Sequence, residues 1–143
     1  YYNGAGGNLV EAAVTGAGLG VEPWAFLAKL LFTAVTLGAG FRGGEIVPTF
    51  ACGATFGCVI APYRGLSPSF GGAAAMVATF CGVTNCPISS ILLAYELFGG
   101  GGLPLYALAI AVAYRLSGYS GLYSEQVILY SKRDPREIDR KAK

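Results

Sequence analysis

The sequence contains no histidine and little charge. Of its 143 residues, 13% are charged and 54% are hydrophobic. The absence of histidine excludes the common catalytic triads and the usual pH switch near neutrality. A zinc site would have to be built from Cys52, Cys58, Cys81 and Cys86, which include no Cys-x-x-Cys pair. We therefore expect these cysteines to be small buried apolar residues, and we expect no metal and no cofactor.

The few charges are concentrated near the C-terminus. Residues 132–143 carry six of the ten Lys and Arg and three of the eight Asp and Glu, so residues 1–130 hold only nine charged side chains. That number is too small to coat the surface of a soluble domain. We therefore predict a membrane domain over residues 1–130 and a charged tail over residues 131–143. The positive-inside tendency places this tail in the cytoplasm, and the local basic excess gives no reason to expect nucleic acid as a partner.

No apolar run reaches the roughly 20 residues that cross a hydrocarbon core as a straight helix. Glycine and proline divide the chain into predicted helices over residues 8–14, 24–37, 48–60, 71–83, 87–98, 104–116 and 122–125. A soluble bundle of such helices would need polar outer faces, which are nearly absent. Broken helices at membrane depth require protein or a water-filled cavity at their ends, so the breaks are predicted to converge on an internal site. The sequence thus predicts an all-α membrane protein.

One break has the composition of an anion site. Residues 37–50 read Leu-Gly-Ala-Gly-Phe-Arg-Gly-Gly-Glu-Ile-Val-Pro-Thr-Phe. Gly38, Gly40, Gly43 and Gly44 predict a loop, and Pro48 suits the first turn of a helix. The amides at a helix N-terminus carry partial positive charge and bind anions.

Residues 44–48, Gly-Glu-Ile-Val-Pro, resemble the Gly-x-Phe-x-Pro signature of the CLC chloride channels and chloride/proton antiporters. The preceding Gly-x-Gly, the Asn-Cys-Pro-Ile-Ser-Ser-Ile-Leu-Leu-Ala-Tyr-Glu stretch of residues 85–96 and the Gly-Leu-Tyr-Ser of residues 121–124 follow in the family's order. The resemblance covers nearly the whole chain. It implies the C-terminal portion of a CLC-type inverted-repeat fold with short, broken and tilted transmembrane helices.

The resemblance also implies which groups bind the anion. In the family, the amides of the two residues after the motif's first glycine bind the central anion, and a tyrosine hydroxyl from the last membrane helix donates to it. In this chain the motif's first glycine is Gly44. The resemblance therefore assigns anion binding at Gly44 to the amides of Glu45 and Ile46, together with the hydroxyl of Tyr123. Ile46 replaces the signature phenylalanine. An ionised Glu45 would repel the anion, so we expect its side chain to point away or to be protonated by burial.

The implied function is transport of chloride or another halide across a membrane by a channel or by an anion/proton antiporter, and not an enzymatic reaction. The family's gating glutamate and anion-binding serine belong to motifs upstream of the residues present, so we expect the chain to be part of a longer protein. The resemblance further implies a homodimer that uses the helices near residues 87–98 and 104–116.

Three alternatives stay open. The first is a fluoride-selective CLC-type transporter, and the second is another broken-helix secondary transporter. The third is a dinucleotide-binding enzyme, because Gly38-x-Gly40-x-x-Gly43 fits the dinucleotide fingerprint. That fingerprint also requires a helix starting at the loop and an acidic residue about 20 positions later. Pro48 interrupts such a helix, and no Asp or Glu occurs between Glu45 and Glu96.

Overall fold

The computed structural model describes residues 6–15, 22–41, 43–123, 125–132 and 137–141. These residues form α1 (Gly7–Val14), α2 (Ala25–Gly38), α3 (Ile46–Ile60), α4 (Pro68–Thr84), α5 (Pro87–Phe98), α6 (Leu103–Leu116), β1 (Val127–Tyr130) and β2 (Glu137–Lys141). A 3-10 turn over Ala61–Arg64 continues α3. The chain divides into two compact units, Tyr1–Met76 and Val77–Lys143, with the boundary inside α4.

The predicted helical architecture is confirmed, and so is the shortness of the helices. The five longer helices, α2 to α6, contain between 12 and 17 residues each. Across the part of the chain that the structure describes, one helical run, Ile46–Arg64, is long and apolar enough to cross a membrane. The helix α5 has the predicted bounds, because Pro87 starts it and Gly99, at a φ of 72°, ends it.

The helix α3 begins two residues before the predicted position. The Thr49 amide donates to the Glu45 carbonyl at 3.2 Å, which closes a first helical turn that contains the proline. Pro48 therefore takes the third position of α3 instead of the first. Proline is tolerated at this position because the N–H groups of the first turn have no partner inside a helix, so the missing N–H of proline costs no helical hydrogen bond.

The first unit is built on small residues. Contacts join α3 to both α1 and α2, and the ring of Phe26 meets that of Phe56 edge-on at 5.4 Å. At Gly57 a side chain would overlap the Gly71 carbonyl and would place its Cβ 2.5 Å from the Ala75 Cβ. Glycine thus lets the backbones of α3 and α4 approach closely, as small residues do between membrane helices.

In the second unit, α5 packs on α6, and the rings of Phe98 and Tyr106 lie 5.6 Å apart. Asn85, between α4 and α5, adopts a φ of 57°. Asparagine enters this left-handed region more readily than most residues, so it allows the chain to turn sharply between the two helices.

The predicted short helix over residues 122–125 is wrong. The described residues of this stretch are non-helical, and the chain continues into β1. The strand β2, inside the predicted charged tail, pairs antiparallel with β1 in the register Val127↔Lys141 and Tyr130↔Glu137. The Val-Ile-Leu-Tyr sequence of β1 has high strand propensity, and charged residues suit an edge strand such as β2.

All four cysteines are free thiols. Cys58 and Cys81 are buried as expected, whereas Cys52 and Cys86 are half-buried. The Cys86 thiol donates to the Thr84 carbonyl at 3.3 Å. Within the described ranges, no group of three or more His, Cys, Asp and Glu residues is arranged to hold a metal ion.

Candidate anion site

The loop before α3 starts from a complete C-terminal cap on α2. Gly40, at a φ of 85°, donates its amide to the Leu37 carbonyl at 3.0 Å, and Phe41 donates to the Thr36 carbonyl at 3.3 Å. These two bonds form a Schellman motif, which requires a left-handed residue at the glycine position. The cap satisfies the Thr36 and Leu37 carbonyls, and Gly40 thus lies at the turn that ends α2.

The N-terminus of α3 presents three consecutive N–H groups. Glu45 precedes the helix, Ile46 and Val47 are its first two residues, and Pro48 has no N–H. The first N–H groups of a helix have no partner within it. No side chain caps this end, and among the described residues no backbone bond from outside the helix accepts from these three groups. They are therefore available to an acceptor that is not part of the described chain.

The orientation of the first peptide is set by Thr49. The Glu45 carbonyl accepts from the Thr49 amide at 3.2 Å and from the Thr49 hydroxyl at 2.7 Å. Two donors on one oxygen hold this carbonyl toward the body of the helix. Because a trans peptide places its N–H opposite its C=O, the Ile46 N–H points away from α3. A helix end with outward N–H groups carries about half an elementary positive charge, which attracts anions.

The side chains around this helix end leave space in front of it. Gly43 and Gly44 are exposed, and a Cβ at either position would meet no atom within 4 Å. The side chains of Ile46 and Val47 are also exposed, whereas Glu45 is half-buried. Packing among the described residues therefore gives no reason for glycine at position 44, which is consistent with a requirement for an open approach to the amides.

Tyr123 lies in the second unit, between backbone hydrogen bonds. Its carbonyl accepts from the Gln126 amide at 3.0 Å, and the amide of the preceding Leu122 donates to the Val83 carbonyl at 2.9 Å. The side chain of Tyr123 is 49% exposed. Its hydroxyl can thus reach a ligand while the backbone on either side is held, although Ser124 of the same motif lies outside the described residues.

The predicted anion ligands are divided between the two units. Gly44, Glu45 and Ile46 lie together in the first unit, and Tyr123 lies in the second. Sequence reasoning missed Val47, whose N–H is the third donor at the same helix end. The position of Pro48 could have revealed it, because a proline at the third helical position leaves two helical residues before it with free N–H groups.

Sequence reasoning also missed the contacts that hold the Tyr123 segment. Asn85 donates its side-chain amide to the Ser120 carbonyl at 2.9 Å, and Lys132 contacts the side-chain oxygen of Asn85. An asparagine just before Cys86-Pro87 signals a turn, but its partner lies 35 residues away in the sequence. A local pattern does not reveal such a contact.

Comparison with known proteins identifies one protein family. The model of the voltage-gated chloride channel family matches residues 1–118. A chloride/fluoride channel protein of Pseudomonas syringae pv. tomato is 41% identical over 121 residues, which are 82% of this chain and 27% of that protein. The chain is also similar to the crystal structure of a CLC-type fluoride/proton antiporter, with a TM-score of 0.80 and 34% identity over 85% of this chain. It spans 30% of the length of that antiporter.

Proposed function

Because the chain belongs to the voltage-gated chloride channel family, we propose that it is the C-terminal part of the membrane domain of a protein that transports halide ions. The anion is bound by the backbone amides of Glu45 and Ile46, with Gly44 leaving room for it, and by the hydroxyl of Tyr123. The observation that carries this proposal is the uncapped N-terminus of α3, where Thr49 holds the Glu45 carbonyl inward.

These donors suit an ion that must bind and then leave again, as transport requires. Backbone amides supply partial charges, whereas a lysine or arginine would hold the anion too tightly to release it quickly. A phenolic hydroxyl donates one further hydrogen bond. Gly38 and Gly40 end α2, and Gly43 and Pro48 frame the start of α3, so together they shape the break in which the amides are presented.

Fluoride is a transported ion to test beside chloride. The similar bacterial protein is named a chloride/fluoride channel, and the similar solved structure is a fluoride/proton antiporter. In this chain Ile46 stands where the family signature has phenylalanine, so the pore wall lacks that aromatic ring. Fluoride is a smaller and stronger acceptor than chloride and benefits more from several converging N–H donors. The proposal includes both an anion channel and an antiporter that exchanges the anion for protons.

Family membership also supports a membrane location and a dimeric assembly for the protein. The chain is part of an integral membrane protein, and the basic residues near its end favour a cytoplasmic C-terminus. Arg133, Arg136 and Lys143 of that basic cluster lie outside the described residues. A homodimer forms through α5 and α6, which expose large apolar side chains, including Ile88, Leu92, Leu105, Leu108 and Leu116. Transport of this kind requires no bound cofactor or metal.

The test is anion efflux from liposomes that contain the full-length parent protein. Efflux of fluoride or chloride, recorded with ion-selective electrodes, is expected from the wild-type protein and not from empty liposomes. Tyr123→Phe removes one hydrogen bond to an ion, which is worth about 1.5–3 kcal/mol, and is expected to weaken anion binding by roughly tenfold or more. A correctly folded parent protein that moves neither ion would refute the proposal. A proton signal that accompanies the anion would distinguish an antiporter from a channel.

A further inference from the structure

Hydrogen bonds on both sides of Tyr123 converge on the break between α4 and α5. The Leu122 amide donates to the Val83 carbonyl at 2.9 Å. The side-chain amide of Gln126 donates to the Thr84 carbonyl at 3.2 Å. These carbonyls belong to the last turn of α4, where a helix has no internal donors left for them. The segment that carries Tyr123 therefore donates hydrogen bonds to two carbonyls at this helix end.

Asn85 makes the central contact of this break. Its side chain is buried, and its amide group donates to the Ser120 carbonyl at 2.9 Å. Its side-chain oxygen accepts from Lys132, whose ammonium group also donates to the Ser117 hydroxyl at 2.9 Å and lies 4.2 Å from the centre of the Tyr114 ring. Asn85 thus links the chain before Tyr123 with the chain after it.

We propose that Asn85 is a positioning residue for Tyr123, and that the α4–α5 break sets where the Tyr123 hydroxyl meets the transported anion. The Tyr123 side chain is half exposed, so packing alone does not hold it. Its placement depends on the backbone, which is anchored at Ser120 and Leu122 on one side and at Gln126 on the other. This inference rests on the proposed function of Tyr123 as an anion ligand.

The test compares Asn85→Gly with Tyr123→Phe in the full-length parent, using fluoride and chloride affinities and the ratio of their transport rates. Glycine keeps the left-handed backbone at position 85 and removes only the side chain. We expect Asn85→Gly to weaken anion binding about three- to tenfold, which corresponds to the loss of one well-placed hydrogen bond. In the Tyr123→Phe background, the same substitution is expected to cause no further loss, because two residues that act through one group are not additive.

Ser131→Ala is the matched control. It removes a 2.8 Å hydrogen bond to the Tyr119 hydroxyl within the same segment and leaves the side chains of Asn85 and Gln126, with their bonds at the α4–α5 break, unchanged. Anion affinity is expected to stay at the wild-type value. If Asn85→Gly fails to fold, Asn85→Asp serves in its place, because it keeps an acceptor for Lys132 and replaces the donor to the Ser120 carbonyl with an oxygen that cannot donate to it.

The remaining outcomes separate a failure of the Asn85 positioning role from a failure of the Tyr123 anion-binding role. A loss that adds fully to that of Tyr123→Phe, or wild-type affinity in a folded Asn85 variant while Tyr123→Phe is impaired, would overturn the positioning role. Wild-type affinity and selectivity in Tyr123→Phe itself would overturn the anion-binding role of the tyrosine, and the inference with it.

Discussion

At the scale of single residues, Thr49 gives the candidate site its direction. A helix N-terminus offers N–H groups in any case, but their direction depends on the first peptides, which lack the full set of helical bonds. The Glu45 carbonyl receives two donors from Thr49, its amide and its hydroxyl. The bond from the Thr49 hydroxyl requires a hydroxyl side chain at this position, whereas the bond from the Thr49 amide does not. The hydroxyl bond can therefore be removed by substitution without altering the backbone bonds of the helix.

Replacement of Thr49 by valine is expected to weaken anion binding about three- to tenfold, because one hydrogen bond of about 0.5–1.5 kcal/mol no longer fixes the Glu45–Ile46 peptide. Valine has nearly the shape of threonine, and the amide bond from residue 49 remains. Calorimetric titration of the purified full-length parent with fluoride and chloride measures the effect. Thr49→Ser keeps the hydroxyl and should retain the wild-type affinity, and equal losses in both variants would show that the hydroxyl bond is irrelevant.

Replacement of Gly44 by alanine is expected to reduce anion flux roughly tenfold, about 1.4 kcal/mol, without unfolding the protein. The added methyl group meets no described atom within 4 Å, and the backbone of Gly44 is not in the left-handed region. Its only consequence is to fill space next to the amides. Gly7→Ala, at another open position of the same unit, is the control. Wild-type flux in Gly44→Ala would contradict the placement of the anion.

At the scale of elements, small residues determine how closely the helices approach. The α3–α4 contact at Gly57 leaves no room for even one methyl group. Helices in lipid gain no hydrophobic driving force for association, so close packing of this kind contributes much of their affinity for one another.

Gly57→Ala should therefore lower the free energy of unfolding of the full-length parent by about 1–3 kcal/mol, the usual cost of overpacking. Unfolding in mixed detergent micelles, followed by circular dichroism, measures this change. Gly38→Ala adds the same methyl group at the end of α2, where nothing lies within 4 Å, and should cause no loss. Similar destabilisation by both substitutions would show that the tight contact is not the cause.

Elements whose ends are marked by nearby residues, such as a proline or a glycine, could be predicted from the sequence. The helix α5 lies between Pro87 and Gly99, and both ends were predicted correctly. The start of α3 was misplaced because Pro48 suits the first turn at more than one position. The β1–β2 pairing was missed because the charges of residues 137–141 indicated a solvated segment, although the strand depends on a partner earlier in the chain. The same limit applies to the Asn85 contact, since its partner Ser120 is distant in the sequence.

At the scale of the whole molecule, the chain represents less than a third of the length of its relatives. Apolar faces that are exposed in the described structure are therefore expected to be covered by lipid, by the rest of the parent protein or by a second subunit. The proposed dimer assigns the faces of α5 and α6 to the second subunit.

Leu108→Trp on α6 is expected to raise the dissociation constant of the dimer at least roughly tenfold, because a large residue in a packed interface disturbs its complementarity. Leu108 is 62% exposed in the described structure. Leu31→Trp on α2 is the control, at 63% exposure but outside the proposed interface. Light scattering of the full-length parent across a dilution series measures both variants. A wild-type dimer with Leu108→Trp, or equal weakening by both substitutions, would contradict the proposed interface.

The central claim is that backbone N–H groups at the start of α3 bind the transported anion, and an amide-to-ester substitution at Ile46 tests it most directly. Incorporating the α-hydroxy acid analogue of isoleucine removes this N–H and keeps the side chain. The same change at Phe50, inside α3, is the control for effects on the helix. We predict that fluoride and chloride efflux from liposomes with the full-length parent falls roughly tenfold for the ester at 46 and stays near wild type for the ester at 50. Wild-type efflux with the ester at 46, or an equal loss with both esters, would contradict the claim.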